Sequence, residues 1–215
     1  MKTILKSFIL FLIALFLACE LAMAVTATTD PDPYTIIMKK VRLRNSVTLE
    51  WVTAGEGDLT VNIASVSAGQ LAAGYVSGSA IPEGTYDQIE VTLSRGMTIK
   101  TSYTDTGNAF AGGAGTVYYT TSTANGDGSI ATSTVAGNYA EGTSQIPTTV
   151  SGVDATAGTY TKTYNLPSTI TVAKGSTQKV RVKFDVTGAA TFQQTGAGTA
   201  VAYPTEPSVE MQIIN

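Results

Sequence analysis

Residues 178–186 alternate polar and apolar side chains without a break: Val180, Val182, Phe184 and Val186 fall on one side, and Lys179, Arg181, Lys183 and Asp185 on the other. Successive side chains of a strand point to opposite faces, so this two-residue period predicts a strand with one buried and one wet face. The same period recurs through the chain, and no stretch sustains a helical one. Residues 34–43 and 47–52 predict two strands, the second with Val47, Leu49 and Trp51 on one face. Gly55 and Gly57 predict a turn before Leu59, Val61 and Ile63. Ile89, Val91 and Leu93 alternate with Gln88, Glu90 and Thr92, and Met97 and Ile99 follow Gly96. Residues 159–164, Ile170 with Val172 before a Lys174-Gly175 turn, and residues 209–214 complete the series.

Seven or more short strands with turn residues between them predict an all-β fold, an antiparallel β-sandwich of Ig-like or jelly-roll-like form spanning residues 34–215. Residues 101–158 interrupt the pattern. They are rich in Gly, Thr, Ser and Ala and poor in large apolar side chains, which predicts an insertion of hairpins and long loops. Short strands are expected there at residues 117–119 and 130–135, with Asn125-Gly126 and Asp127-Gly128 as hairpin turns. Residues 65–76, rich in Ala, Gly and Ser, predict a short helical turn or a loop. Residues 25–33, VTATTDPDP, predict a polar extension that the prolines keep out of any central strand.

The first 24 residues predict a secretory signal peptide. Lys2 and Lys6 precede an apolar run over residues 8–18, and Ala22-Met23-Ala24 supplies the small-x-small site that places the cut before Val25. The run falls short of the roughly 20 apolar residues of a membrane span, so the exported chain is expected to carry no transmembrane anchor. Cys19 invites a lipoprotein reading, but Leu17 stands where a lipobox has a small residue. A prepilin reading lacks the glutamate expected at the fifth position after a cut at Ser7.

The chain holds no histidine, and its one cysteine, Cys19, precedes the expected cut. Ser-His-Asp and Cys-His catalysis are therefore unavailable, as are zinc and haem sites of the usual ligands. No cofactor is expected. Glu50, Glu90 and Glu210 fall at positions that alternation points to solvent, where a carboxylate pair for hydrolysis competes with plain solvation. Asn125, Asp127 and Ser129 place oxygens at alternate positions, as the start of a calcium loop does. The glycine and glutamate that would complete that loop are missing. Lys39, Lys40, Arg42 and Arg44 suggest a charged strand edge that discourages pairing. Tyr118, Tyr119, Tyr139, Tyr160 and Tyr164 suit either strand packing or contact with sugar rings. Only 13% of residues are charged and the formal net charge is −3, which gives no reason to expect nucleic acid as a partner.

Two motifs carry a resemblance. IPEGTY at 81–86 runs into DQIEVTLS, with NIASVSAG at 62–69 ahead of it; TVAKGS at 171–176 runs into QKVRVKFDV. They resemble secreted bacterial β-sandwich domains of uncharacterised function, over roughly residues 34–100 and 159–214. The resemblance implies that a turn of Pro82, Gly84 and Tyr86 launches a central strand. The second motif and the Thr/Gly-rich character are also similar to camelysin-type biofilm-fibre subunits. Together these features predict a secreted, non-enzymatic structural or adhesive protein of the cell surface or matrix. It would self-associate by strand addition through Val25, Thr26, Ala27, Thr28 and Thr29. A carbohydrate-binding or accessory module for a surface polymer is the alternative, and a carboxylate-dependent hydrolase stands third.

Overall fold

A computed structural model describes residues 24–65, 81–173 and 179–214. In chain order its strands are β1 (Thr26–Thr29), β2 (Tyr34–Asn45), β3 (Trp51–Asn62), β4 (Gly84–Ser94), β5 (Gly96–Ile99), β6 (Ser102–Asp105), β7 (Thr116–Ala124) and β8 (Ile130–Ser133). They continue as β9 (Gly142–Gln145), β10 (Val153–Asp154), β11 (Thr159–Val172), β12 (Lys179–Asp185), β13 (Ala190–Gly196), β14 (Thr199–Pro204) and β15 (Ser208–Ile214). The fold is all-β and every strand pair is antiparallel. No helix among the described residues is long and apolar enough to cross a membrane.

Sheet I has the order β1-β13-β14-β8-β7-β6, and sheet II the order β10-β11-β4-β2-β5-β9, with β3 also on β2; β12 and β15 form a separate two-stranded ribbon. The main core draws on both sheets. Tyr118, Ile130, Phe192 and Ala202 of sheet I cluster with Tyr34, Ile36, Met97 and Ile99 of sheet II, and Phe110 joins them from the β6–β7 connection. A second cluster, Leu43, Ala54, Tyr86, Ile89, Leu166 and Ile170, lies at the other end of sheet II.

Strand β2 is the spine of sheet II, paired with β3 along one edge and with β4 and β5 along the other. Its buried positions are Tyr34, Ile36 and Met38, then Leu43. The parity changes where the register against β4 shifts between Met38 and Lys40. One extra residue there keeps the apolar side on one face of the sheet, because an unbroken two-residue period would turn Leu43 outward. The basic side chains all find cross-strand carboxylates: Lys39 with Asp58, Lys40 with Glu56, Arg42 with Glu90 and Arg44 with Asp87. The expected charged edge is therefore a ladder of ion pairs on a central strand. Glu90 is not a free solvent-facing carboxylate, since Arg42 holds it and its side chain is 13% exposed.

Three further expectations are corrected. Val47 and Leu49 do not lie in a strand. They sit at the tip of the β2–β3 hairpin, 82% and 61% exposed, and β3 begins only at Trp51. Gly55 and Gly57 are not a turn but lie within β3, at the shifts of register that the longer pairing needs. Residues 101–158 are hairpins, as expected, but not an appendage. They supply β6, β7 and β8 to sheet I and β9 and β10 to sheet II, and Phe110, Tyr118 and Ile130 to the main core. The few large apolar residues there count because they reach the core: Phe110, Tyr118 and Ile130 are all buried.

Residues 25–33 are likewise built into the fold. Strand β1 pairs with β13 at the edge of sheet I, and Val25 and Ala27 pack against the main core. The Asp30 carboxylate accepts the Gly188 N–H at 2.7 Å, and Pro31 is fully buried. The expected signal segment with Ala22 and Cys19, the expected helical turn or loop at 65–76 apart from Ser65, and the expected turn at Lys174-Gly175 lie outside the described residues; Ala24 begins the described chain.

Candidate functional site

A cleft of about 270 Å³ opens between sheet II and the connection from β14 to β15. Its floor is apolar, with Ile36, Ile63, Leu93 and Met97. Its polar groups come from Tyr160 and Tyr164 of β11, from the end of β14 and the β14–β15 connection, from Asp127 of the β7–β8 turn and from Ser144 and Gln145 of β9. Tyr160, Lys162 and Tyr164 occupy alternate positions of β11 and so share a face. They stand opposite Leu93, Val91 and Ile89 of β4, on the side of the sheet that carries the core. Tyr203 is the next-to-last residue of β14, and Glu206 follows between Pro204 and Pro207.

Several bonds hold this connection in place. The Thr205 N–H donates to the Ala189 carbonyl at 2.9 Å, and the Tyr34 hydroxyl donates to the Thr205 carbonyl at 3.0 Å. Lys162 closes an ion pair with Glu206 and lies 5.5 Å from the centroid of the Tyr164 ring. Burial first, then the Glu206 charge, Tyr160 and a hydrogen bond to Glu206, push the Tyr164 hydroxyl up to about 12. Burial also raises Tyr160, with Lys162 opposing it and Glu206 adding to it. Tyr34 is raised by burial and, second, by Glu206. These phenols therefore stay protonated at neutral pH and act as hydrogen-bond donors beside aromatic faces. The cleft is equipped to bind a partly apolar group with a few acceptors.

The residues singled out from sequence are dispersed. Asn125, Asp127 and Ser129 form the β7–β8 hairpin turn. Asp127 accepts the Ser129 N–H at 2.9 Å and its hydroxyl at 2.7 Å, and Asn125 Nδ2 donates to Ser129 Oγ at 2.8 Å. The Ser129 hydroxyl, ahead of the Ser129 N–H, holds the Asp127 carboxyl below the usual range. The oxygens that suggested a cation are thus engaged with one another's donors, and among the described residues no group of three ligating side chains gathers. Pro82 precedes β4, and Gly84 and Tyr86 are already its first and third residues; β4 lies between β11 and β2. Tyr86 is fully buried, with its hydroxyl on the Pro82 carbonyl at 2.8 Å. A side chain at Gly84 would press on the Asn45 amide at 2.8 Å. Thr26, Ala27, Thr28 and Thr29 are β1, and Val25 precedes them. Glu50 is exposed at the hairpin tip.

Of the tyrosines, Tyr118 belongs to the core, and Tyr119 packs on Tyr139 at 5.3 Å between ring centroids. Tyr160 and Tyr164 reach the cleft. Lys162, Tyr203 and Glu206 were missed. The signals available were a lysine in phase with Tyr160 and Tyr164, and a glutamate between two prolines at the start of a strand. No family model, no curated protein and no solved structure matches this chain.

Proposed function

We propose that this chain is a secreted β-sandwich of the cell surface or extracellular matrix, a structural or adhesive subunit that assembles by exchanging β1 between copies. The observation that carries the reading is the docking of β1. Four residues pair with β13 at a sheet edge, Val25 and Ala27 complete the main core, and residues 30–33, DPDP, lead to β2. A neighbour's β1 would make the same backbone bonds and bury the same two side chains, so exchange conserves every contact. The low charge density leaves little repulsion between copies. The reading is non-enzymatic, resting on the lack of histidine and of any cysteine beyond Cys19.

A disulfide across β1 and β13 tests it. The Gln194 N–H donates to the Val25 carbonyl, so alternation makes Thr28 and Thr191 a non-hydrogen-bonded pair with close side chains. The Thr28→Cys/Thr191→Cys protein, oxidised, should form no filaments by electron microscopy, and reductant should restore them. Filaments that form equally in both states would rule out exchange of β1.

A second reading, binding of a surface polysaccharide, is favoured by Tyr160, Tyr164 and Tyr203 in one cleft, since aromatic faces stack on sugar rings. Retention on polysaccharide columns that is lost on Tyr160→Ala and Tyr203→Ala would support it.

A further inference from the structure

The lining of the cleft carries two carboxylates, Asp127 and Glu206, and no base. Glu206 is answered by Lys162, which pairs with it from outside the lining. Asp127 is not answered by a cation: among the described residues it forms no ion pair. Its Oδ1 accepts the Ser129 N–H and hydroxyl. Those bonds, the hydroxyl's first, hold the carboxyl below the usual range, so its charge is present at neutral pH.

The turn that carries Asp127 is fixed against β9. The Gly128 carbonyl accepts the Gln145 N–H at 3.2 Å and the Ser144 hydroxyl. Gly128 has a left-handed φ of 89°, and a Cβ there would stand 2.9 Å from the Gln145 carbonyl oxygen. Glycine lets the turn close this tightly. An exposed carboxylate is thereby held at the mouth of the cleft.

The remaining wall is apolar and aromatic. Ile36, Leu93, Met97 and Phe184 offer an apolar bed, and Tyr160 and Tyr203 are half-buried beside it. The faces of aromatic rings attract cations. One ring of this wall already meets one, since the Lys162 ammonium lies 5.5 Å from the Tyr164 centroid. The charge complement of the lining is a cation, and the complement of its bed is an apolar body. At about 270 Å³ the space falls just below the roughly 300–1,000 Å³ of small-molecule sites, which suits a compact ligand.

We propose that the cleft binds a small organic monocation with an apolar body, an alkyl- or arylammonium, its body on the Ile36–Met97 bed and its ammonium held by Asp127 and the tyrosine faces. The inference is independent of β1 exchange and gives the cleft a different occupant from a polysaccharide.

Three probes that share one apolar chain and differ in charge test it by NMR titration of the purified protein: hexyltrimethylammonium, hexanol and hexanesulfonate. The ammonium should shift the methyl resonances of Leu93, Met97 and Val150. It should bind roughly fivefold or more tightly than hexanol, the advantage of a cation beside a carboxylate and ring faces. Asp127→Asn keeps an acceptor for Ser129 and should bring the ammonium down to the level of hexanol. Tyr160→Leu should weaken the ammonium more than the alcohol. Val150→Arg, at a position 40% exposed, puts a base in the lining and should reverse the order, with hexanesulfonate bound above the ammonium. Circular dichroism checks that the variants fold; should Tyr160→Leu fail, Asp127→Asn and Val150→Arg, both at exposed positions, carry the test. Equal binding of ammonium and hexanol, tighter binding of the sulfonate, or no binding of any probe overturns the inference. So does an Asp127→Asn protein that prefers the ammonium as its parent does. Polysaccharide retention by a protein that ignores the ammonium overturns it too and leaves the sugar reading standing. Ammonium binding by a protein that no polysaccharide column retains supports it and removes the sugar reading.

Discussion

The Tyr118 hydroxyl occupies the space that a side chain at Gly112 would need. Tyr118 is 1% exposed, and among the described residues its hydroxyl is the one buried side-chain polar atom without a hydrogen-bond partner. The Phe110 ring packs edge-on against the Tyr118 ring, 5.3 Å between centroids. The chain therefore accommodates a buried phenol by leaving residue 112 without a Cβ, close to the Gly198 backbone.

Removing that hydroxyl should do no harm. An unpaired buried donor costs stability, so Tyr118→Phe is expected to be neutral or stabilising by up to ~1 kcal/mol in urea unfolding. Gly112→Ala should destabilise by about 1–3 kcal/mol through overpacking. The two changes should couple by more than ~0.5 kcal/mol, with alanine tolerated better beside phenylalanine. Additive effects would refute the proposed contact.

The rungs of the ion-pair ladder should differ in worth. Arg42 Nε donates to Glu90 at 2.7 Å, and its guanidinium lies 5.4 Å from the Trp51 ring centroid. Arg42→Ala leaves a largely buried carboxylate unpaired and should cost about 1–3 kcal/mol. Lys39 pairs with Asp58, whose side chain is 66% exposed, so Lys39→Ala should stay within ~0.5 kcal/mol. Chemical denaturation of both variants at low and high salt checks the order.

Gly142 ties the sheets together. It lies in β9 of sheet II, and a Cβ there would strike Ile130 and the Thr121 carbonyl of sheet I. Gly142→Ala should destabilise by about 1–3 kcal/mol. Gly107→Ala, with open space around it, should change stability by less than ~0.5 kcal/mol. Thermal unfolding of the two variants decides the matter.

Alkaline pH should loosen the cleft. Burial, with the Glu206 charge second, pushes the Tyr164 hydroxyl up to about 12 in the folded chain, against roughly 10 for a free tyrosine. The unfolded chain thus gives up this proton first, and the neutral phenol's contribution, complete below pH 10, is lost as pH rises toward about 12. Tyr164→Phe should flatten this part of the stability profile. Urea midpoints between pH 9 and 12 (roughly the tyrosine range), with tyrosinate absorbance alongside, measure it.

Alternation and turn chemistry alone determined the all-β class and most strand positions: β4, β5, β11 and the backbone of β12 and β15 fall close to where the two-residue period puts them. The β7–β8 turn was equally legible, because Asn-Gly and Asp-Gly act locally. The cleft was legible only in part, through Tyr160 and Tyr164. Non-local facts decided the rest. A bulge at Lys39–Lys40 shifts the period of β2, and only pairing with both β3 and β4 shows that its cations meet carboxylates on a central strand. Val47 and Leu49 read as a buried strand face because their apolar character carries no record of the Asn45 turn that exposes them. The Thr/Gly-rich middle of the chain looked peripheral because composition counts side chains, whereas burial depends on which few reach the core. The meeting of Lys162 with Glu206, 44 residues apart in sequence, is set by packing β15 over β11. No local pattern encodes a contact whose two halves lie on β11 and in the β14–β15 connection.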